Sequence, residues 1–191
     1  MAKWFVAAKR ADFEKIAAEF QITPILARLI RNRDIVGTEA IRKYLWGTTE
    51  ELYAPGLLKG LDEAATLLLR KIGQGRSIRI VGDYDADGIC AAYILKRGLA
   101  FLGGKIDTMI PHRMKDGYGL NDRLVEQARE DGIDTLLTCD NGIAAVQQIE
   151  LAKQYGMTVI ITDHHEAPYE EREGKRTYLL PAADVIVDPK Q

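Results

Sequence analysis

From Ser77 to Asp188 the chain alternates short apolar, β-branched runs with stretches of helical periodicity, and this alternation limits the fold more than any other feature. The runs are "SIRIV", "IDTMIP", "DTLLTC", "TVIIT" and "DVIVD", with helical patterns between them near 89–102, 121–131 and 143–155. Apolar strands joined by helices give right-handed βαβ crossovers, and hence a parallel sheet buried on both faces. The predicted class is α/β, a doubly wound five-stranded parallel sheet. The charged stretch "APYEEREGKRTYLLPAA" breaks the rhythm and is predicted to be a surface excursion before the last strand.

Residues 1–75 read as a helical N-terminal segment and 76–191 as the α/β domain. "ADFEKIAAEF" places Phe13, Ile16, Ala17 and Phe20 at helical spacing. In "TPILARLIRNR", Thr23 is a candidate N-cap and Pro24 takes the first helical position. "TEAIRKYLW" and "LDEAATLLLRKI" supply two further helices. Arg28, Arg31, Arg33, Arg42 and Lys43 decorate this segment, and a solvated helix face is preferred over a nucleic-acid patch.

With 191 residues, 47% apolar and 28% charged, the chain has material for one good core. Its net charge of −2 announces no global basic field. The charge is uneven, however. Residues 1–50 carry nine Lys/Arg against six Asp/Glu, and the rest carries seventeen against twenty-two, a mildly acidic body. Cys90 and Cys139 lie far apart in apolar stretches without CxxC spacing, so both are expected as buried thiols in a reducing compartment. No run approaches the roughly 18 apolar residues of a membrane span, and no apolar leader opens the chain. A soluble cytoplasmic protein that does not engage a membrane is the expectation.

The stretch "VGDYDADGICAAYIL", residues 81–95, sets Asp83, Asp85 and Asp87 on alternate positions before Gly88. An EF-hand loop would need a bidentate Glu at its twelfth position, which here is Ile94. Its flanks are also a strand and a helix, so a calcium loop is excluded. The helix is expected to turn Ile89, Tyr93, Ile94 and Leu95 towards a core.

Open parallel sheets bind ligands at the carboxyl ends of their strands. The first strand ends in Asp83, Asp85 and Asp87, and "DTLLTC" ends in Asp140-Asn141-Gly142. "TVIIT" ends in Asp163-His164-His165, and "DVIV" ends in Asp188-Pro189. A turn or an N-cap explains any one of these acids, but hardly all of them at one edge. Clustered carboxylates repel unless a cation neutralises them. Hard oxygens with one or two imidazoles favour Mn²⁺ or Mg²⁺, and so many acids suit two ions. A two-metal site points to hydrolysis of a phosphoester or phosphoanhydride.

These motifs resemble those of the DHH phosphoesterase superfamily: "DYDADG" its first, "CDNG" its second and "TDHH" its third. Within it, "GDYDADG", "PHRMKDGYGL", "TCDNGI" and the helical leader are most similar to the branch of single-stranded-DNA-specific 5′→3′ exonucleases of repair and recombination. The resemblance implies that Asp85 and Asp87 each hold one Mn²⁺ (or Mg²⁺), that Asp83 supports the first ion, and that Asp140 bridges both. It makes His164 a direct ligand. His165 would face the scissile phosphate, with Asp163 orienting a histidine. Arg113, His112, Asn141 and Asp188 are the candidate substrate contacts. The family has Asn where this chain has Asp188, which keeps an oxygen and adds a charge. Members also carry a further acidic ligand and a second domain downstream. The chain therefore reads as an N-terminal portion whose metal shell is incomplete and whose activity alone would be weak or absent. Partners are expected to be single-stranded DNA and other replication or repair proteins.

Sibling branches act on short oligoribonucleotides, cyclic dinucleotides or pyrophosphate. Their first motif starts with a histidine four residues before the first shared Asp, where this chain has Val81. A non-enzymatic DNA- or partner-binding module is the reading from another class. A phosphotransfer receiver domain also uses acidic strand ends, but it has no part for the double histidine.

Overall fold

The computed structural model describes residues 3–5, 9–172 and 175–191. Residues 173–174, within the charged excursion, and 1–2 and 6–8 in the helical segment lie outside the described residues.

Met1–Ala54 is one compact unit. Its helices are α1 (Phe13–Phe20), α2 (Pro24–Asn32) and α3 (Thr38–Trp46). Asp12 caps α1 by accepting from the Lys15 amide at 3.0 Å, and Thr23 caps α2 by accepting from the Leu26 amide at 3.2 Å. Phe20, Ile30 and Ile41 form a small core with Ile16, Ile22, Ile35 and Leu45. The basic side chains that decorate this unit are engaged locally. Arg31 pairs with Asp34, and Arg42 with Glu39 and Glu51. Arg28 and Lys43 lie over the rings of Phe13 and Tyr53, and Arg33 donates to the Leu29 carbonyl.

Pro55–Gln191 is the second unit, built on a five-stranded parallel sheet. Its strands in chain order are β1 (Ser77–Val81), β2 (Lys105–Met109), β3 (Thr135–Cys139) and β4 (Thr158–Thr162), then the separate pair β5 (Tyr169–Arg172) and β6 (Lys175–Tyr178), and last β7 (Val185–Val187). The parallel sheet has the order β2-β1-β3-β4-β7. The helices are α4 (Leu61–Gly73), α5 (Ala86–Phe101), α6 (Asp122–Glu130) and α7 (Val146–Gln154). Alternating strand residues feed two cores. Leu136, Val159 and Ile161 pack with Leu124, Val125 and Ala128 of α6 and with Ile149 and Ala152 of α7. Ile78, Ile80, Leu137 and Ile160 pack on the other face with Ala64 and Leu68 of α4 and with Ala92 and Leu99 of α5. Helix α4 thus belongs to the sheet, and the contacts part at 54/55 where the sequence suggested 75/76. Among the described residues no helix is long and apolar enough to cross a membrane.

Two expectations are corrected and a third is refined. Ile89, Tyr93 and Ile94 are 51%, 60% and 68% exposed, and of that predicted face only Leu95 packs inward. Helix α5 turns its small residues, Gly88 and Ala92, to the strands because it crosses them closely, so the bulky residues face out. For the same reason Cys90 is exposed. Only Cys139 is a buried thiol, and burial pushes its pKa up to about 12. The charged excursion contains a two-stranded antiparallel sheet, β5 with β6, in which Tyr169 faces Tyr178 and Glu171 faces Arg176.

An ion pair ties α4 to the entry of β3. Asp134 accepts from Lys71 Nζ at 2.6 Å and from the Thr135 hydroxyl at 2.7 Å. Partial burial alone would raise its carboxyl, but these two hydrogen bonds outweigh it and hold the pKa below the usual range. A depressed folded pKa contributes stability above the unfolded value of about 3.9, lost as pH falls through the folded value. Asp134→Asn is expected to cost about 1.5–3 kcal/mol at pH 7, as for a hydrogen bond to a charged group. Urea unfolding at pH 7 and pH 3 should show that deficit shrinking at the lower pH. An equal deficit at both would mean that the carboxylate charge contributes nothing.

Candidate metal centre

The register of the sheet sets its acids in a row. Val81 pairs with Thr138, Cys139 with Thr162, and Thr162 with Val187. Continued past the strand ends, the same pairing brings Asp83 level with Asp140, Asp140 with Asp163, and Asp163 with Asp188. The strand order reverses between β1 and β3, so the row crosses the switch point where doubly wound sheets bind ligands.

Asp83 is buried, 1% exposed, and its Oδ1 has no hydrogen-bond partner. Asp85 is the N-cap of α5, and its Oδ1 accepts from the amides of Gly88 at 3.0 Å and Asp87 at 2.9 Å. The Gly88 amide, seconded by that of Asp87, holds the Asp85 carboxyl below its ordinary value. Asp87 is exposed on the wall of a groove of about 540 Å³ that Asp140 and His164 also line.

Asp140 adopts a left-handed φ of 61°, a costly conformation for a residue other than glycine. Its amide donates to the Thr162 carbonyl at 3.1 Å, and its Oδ1 lies 2.8 Å from His164 Nε2. Burial pushes this carboxyl up; His164 opposes the shift and Asp85 adds to it. Asp163 is spent on holding its neighbours. Its Oδ2 accepts from the Ile143 amide at 2.9 Å, and its Oδ1 accepts from the His164 amide at 2.7 Å and lies 2.6 Å from His165 Nδ1. The two histidine rings stand 4.5 Å apart. Ligand atoms of Asp140, His164 and His165 all lie within 4.8 Å of one another.

The remaining expected residues divide. Asp188 is buried at the end of β7, where its Oδ1 accepts from the Lys190 amide at 2.8 Å and its Oδ2 has no partner. Burial pushes its carboxyl up. Asn141, expected at the substrate, is instead buried, and its amide group donates to the carbonyls of Val81 at 3.0 Å and Cys139 at 2.9 Å. It staples β1 to β3 beneath the site. His112 is exposed, and its Nδ1 accepts from the Met114 amide at 3.2 Å within its own turn. Arg113 is exposed over the Tyr84 ring at 5.4 Å.

Sequence reasoning missed Tyr84 and Tyr118. Tyr84 meets Tyr118 edge-on at 6.3 Å, and Tyr118 meets His165 edge-on at 5.9 Å. The rings thus form a ladder from Arg113 to the histidines. The Tyr118 hydroxyl donates to the Asp140 carbonyl at 3.0 Å, and partial burial among Asp163, Asp83, Asp140 and Asp85 pushes its pKa up to about 12. The available signal was the paired glycines of "GYG" beside an exposed-looking aromatic.

This donor set fits a hard divalent cation. Carboxylate oxygens with two imidazoles suit Mn²⁺ or Mg²⁺, and no thiolate competes, since Cys139 is held as a neutral thiol. Buried carboxylate oxygens without partners, on Asp83 and Asp188, are costly unless a positive charge meets them.

The sequence profile of the DHH family, N-terminal domain, matches residues 77–191. The single-stranded-DNA-specific exonuclease RecJ of Bacillus subtilis (strain 168) is 37% identical over 186 residues, which is 96% of this chain and 22% of that protein. The chain thus spans about a fifth of that relative's length. A crystal structure of exonuclease RecJ bound to manganese is similar with a TM-score of 0.60 and 40% identity, over 69% of this chain and 31% of that one. RecJ from Thermus thermophilus in complex with Mn²⁺ gives a TM-score of 0.59 and 30% identity, over 93% and 23% of the respective chains.

Proposed function

This chain belongs to the DHH family, and on that premise we propose that it carries the metal-binding centre of a 5′→3′ exonuclease acting on single-stranded DNA in repair and recombination. The observation that carries the reading is the partnerless buried Asp83 Oδ1 on the sheet edge where Asp140, His164 and His165 converge. The similarity to RecJ proteins, two of them described as manganese-bound, supports the metal and the substrate.

In this reading Asp83, Asp85, Asp87, Asp140 and His164 hold two Mn²⁺ or Mg²⁺ ions. Bound there, the metal would supply an activated water and neutralise phosphoryl oxygens. His165 does its work through its own geometry. Asp163 fixes the ring at Nδ1, and Nε2, with the Tyr118 hydroxyl 3.3 Å away, is the nitrogen that would turn to a phosphoryl oxygen and, when protonated, offset the charge that develops there. Arg113, at the outer end of the ring ladder, is placed to take a neighbouring phosphate. The setting is cytoplasmic, with other replication or repair proteins as further partners.

The test is Mn²⁺-dependent digestion of a 5′-labelled single-stranded oligonucleotide, with protein in excess so that slow cleavage registers. Mononucleotides should appear from the 5′ end. His165→Ala should lower the rate by about 10²–10³, as for loss of one charge-stabilising donor, while Mn²⁺ binding is kept. Cleavage of cyclic dinucleotides or short oligoribonucleotides with DNA left intact would move the substrate to a sibling branch. Absence of any phosphodiester cleavage while two Mn²⁺ ions are bound would favour a binding module.

A further inference from the structure

We propose that Tyr118 is a positioning residue of the metal centre: its hydroxyl fixes the backbone of Asp140 and braces the ring of His165. The inference rests on the metal reading above. Asp140 needs such a support because its left-handed φ of 61° persists only where the surroundings over-determine it. Both of its backbone polar groups are pinned, and from different elements. The amide bonds the Thr162 carbonyl at 3.1 Å, and the carbonyl accepts from Tyr118 at 3.0 Å. With the peptide held on both sides, the carboxylate is presented to His164 at 2.8 Å.

The same hydroxyl oxygen lies 3.3 Å from His165 Nε2 and 3.5 Å from Nδ1, so it touches the ring between the nitrogens and serves neither alone. Asp163 grips Nδ1 at 2.6 Å from another direction. The imidazole is therefore clamped between Asp163 and Tyr118.

Packing does not account for Tyr118, which is 53% exposed and has little burial to gain. Its loop, by contrast, is braced. Gly117 and Gly119 flank it with φ of 75° and 67°, a conformation that side-chain-bearing residues rarely adopt. Asp116 accepts from the His112 amide at 2.7 Å and from Arg123 Nε at 2.8 Å, and its carbonyl accepts from Asn121 at 3.2 Å. Pro111 and Leu120 are buried at the two ends. A loop this restrained delivers one half-exposed phenol to one carbonyl and one imidazole.

The experiment compares Tyr118→Phe with the unmodified 191-residue chain. In the metal-free protein, the amide signals of 140–142 and the ring signals of His165 should shift, while those of α6 and α7 stay in place. Mn²⁺ affinity by calorimetry should fall about tenfold, the lower end of what losing an outer-shell partner costs. The unfolding midpoint should stay within about 2 °C, as for a surface substitution. Metal-free spectra that superimpose at 140–142 and His165 would overturn the proposal. So would a large drop in midpoint with Mn²⁺ affinity unchanged, since that is a merely structural role. If the unmodified chain binds no Mn²⁺, the metal reading fails, and the metal-free spectra still decide whether Tyr118 positions Asp140 and His165.

Discussion

Asp140→Asn is expected to weaken Mn²⁺ binding at least about 100-fold, or roughly 2.7 kcal/mol, and to make the metal-free protein slightly more stable. The two effects share one cause. In the absence of metal, Asp140 is a nearly buried carboxylate facing Asp85, and its carboxyl is pushed up by burial. Folding therefore works against its charge. Asparagine keeps the shape, tolerates a left-handed φ better than most residues, and can still bond His164 through its side-chain oxygen. It removes only the charge that a divalent cation needs and that burial disfavours when no metal is bound. A gain of about 0.5–1 kcal/mol in the metal-free state is in scale with relieving a strained functional site. Calorimetric Mn²⁺ titration and thermal unfolding in chelator check the two halves separately. An unchanged isotherm would take Asp140 out of the metal shell. A destabilised metal-free protein would mean that its charge supports the fold instead of straining it.

What could be read in the sequence was the part that depends on periodicity and on strand ends. All five strands of the parallel sheet and the helices between them follow from β-branched runs and helical spacing, because buried strands tolerate few other residues. The acids fell at strand termini, and a parallel sheet with this register has little choice but to align them. What escaped depends on approach distance and on loops. The bulky residues of α5 looked like its core face, yet a helix that nearly touches the strand buries glycine and alanine and turns Ile89, Tyr93 and Ile94 outward. Asn141, in the "CDNG" motif, was a candidate substrate contact. Its amide instead closes the gap between two strand carbonyls, a need visible only once β1 and β3 are known to be neighbours. Tyr118 is 22 residues from the carbonyl it holds, and no local pattern encodes that bond. The pairing of β5 with β6 was hidden by charge, since its cross-strand Glu171 and Arg176 read singly as loop residues.

The glycine that closes the acidic motif gives the largest expected loss of stability. Helix propensity alone favours Gly88→Ala by about 1 kcal/mol, since Gly88 lies in the first turn of α5. Close approach reverses the sign. A Cβ at Gly88 would lie 2.5 Å from the Asp83 amide nitrogen, 2.6 Å from its carbonyl oxygen and 2.7 Å from its Cα. All three are backbone atoms, so no side chain can swing aside. The strand end and the helix start would have to part. Overpacking a core costs about 1–3 kcal/mol when side chains can adjust, and a backbone-on-backbone clash is expected to exceed that range. The separation would also pull Asp85, whose Oδ1 caps the Gly88 amide, away from Asp83, so Mn²⁺ affinity should fall together with stability. Gly98 in the same helix supplies the contrast, because a Cβ there meets nothing within 4 Å. Gly98→Ala is expected to gain about 0.5–1 kcal/mol from helix propensity and leave Mn²⁺ binding unchanged. Urea unfolding of both variants settles the matter. Opposite signs would establish that the glycine of "DYDADG" is there to let α5 touch β1 and hold Asp83 and Asp85 together. Two gains would show that the helix has room to spare, and the motif's glycine would need another reason.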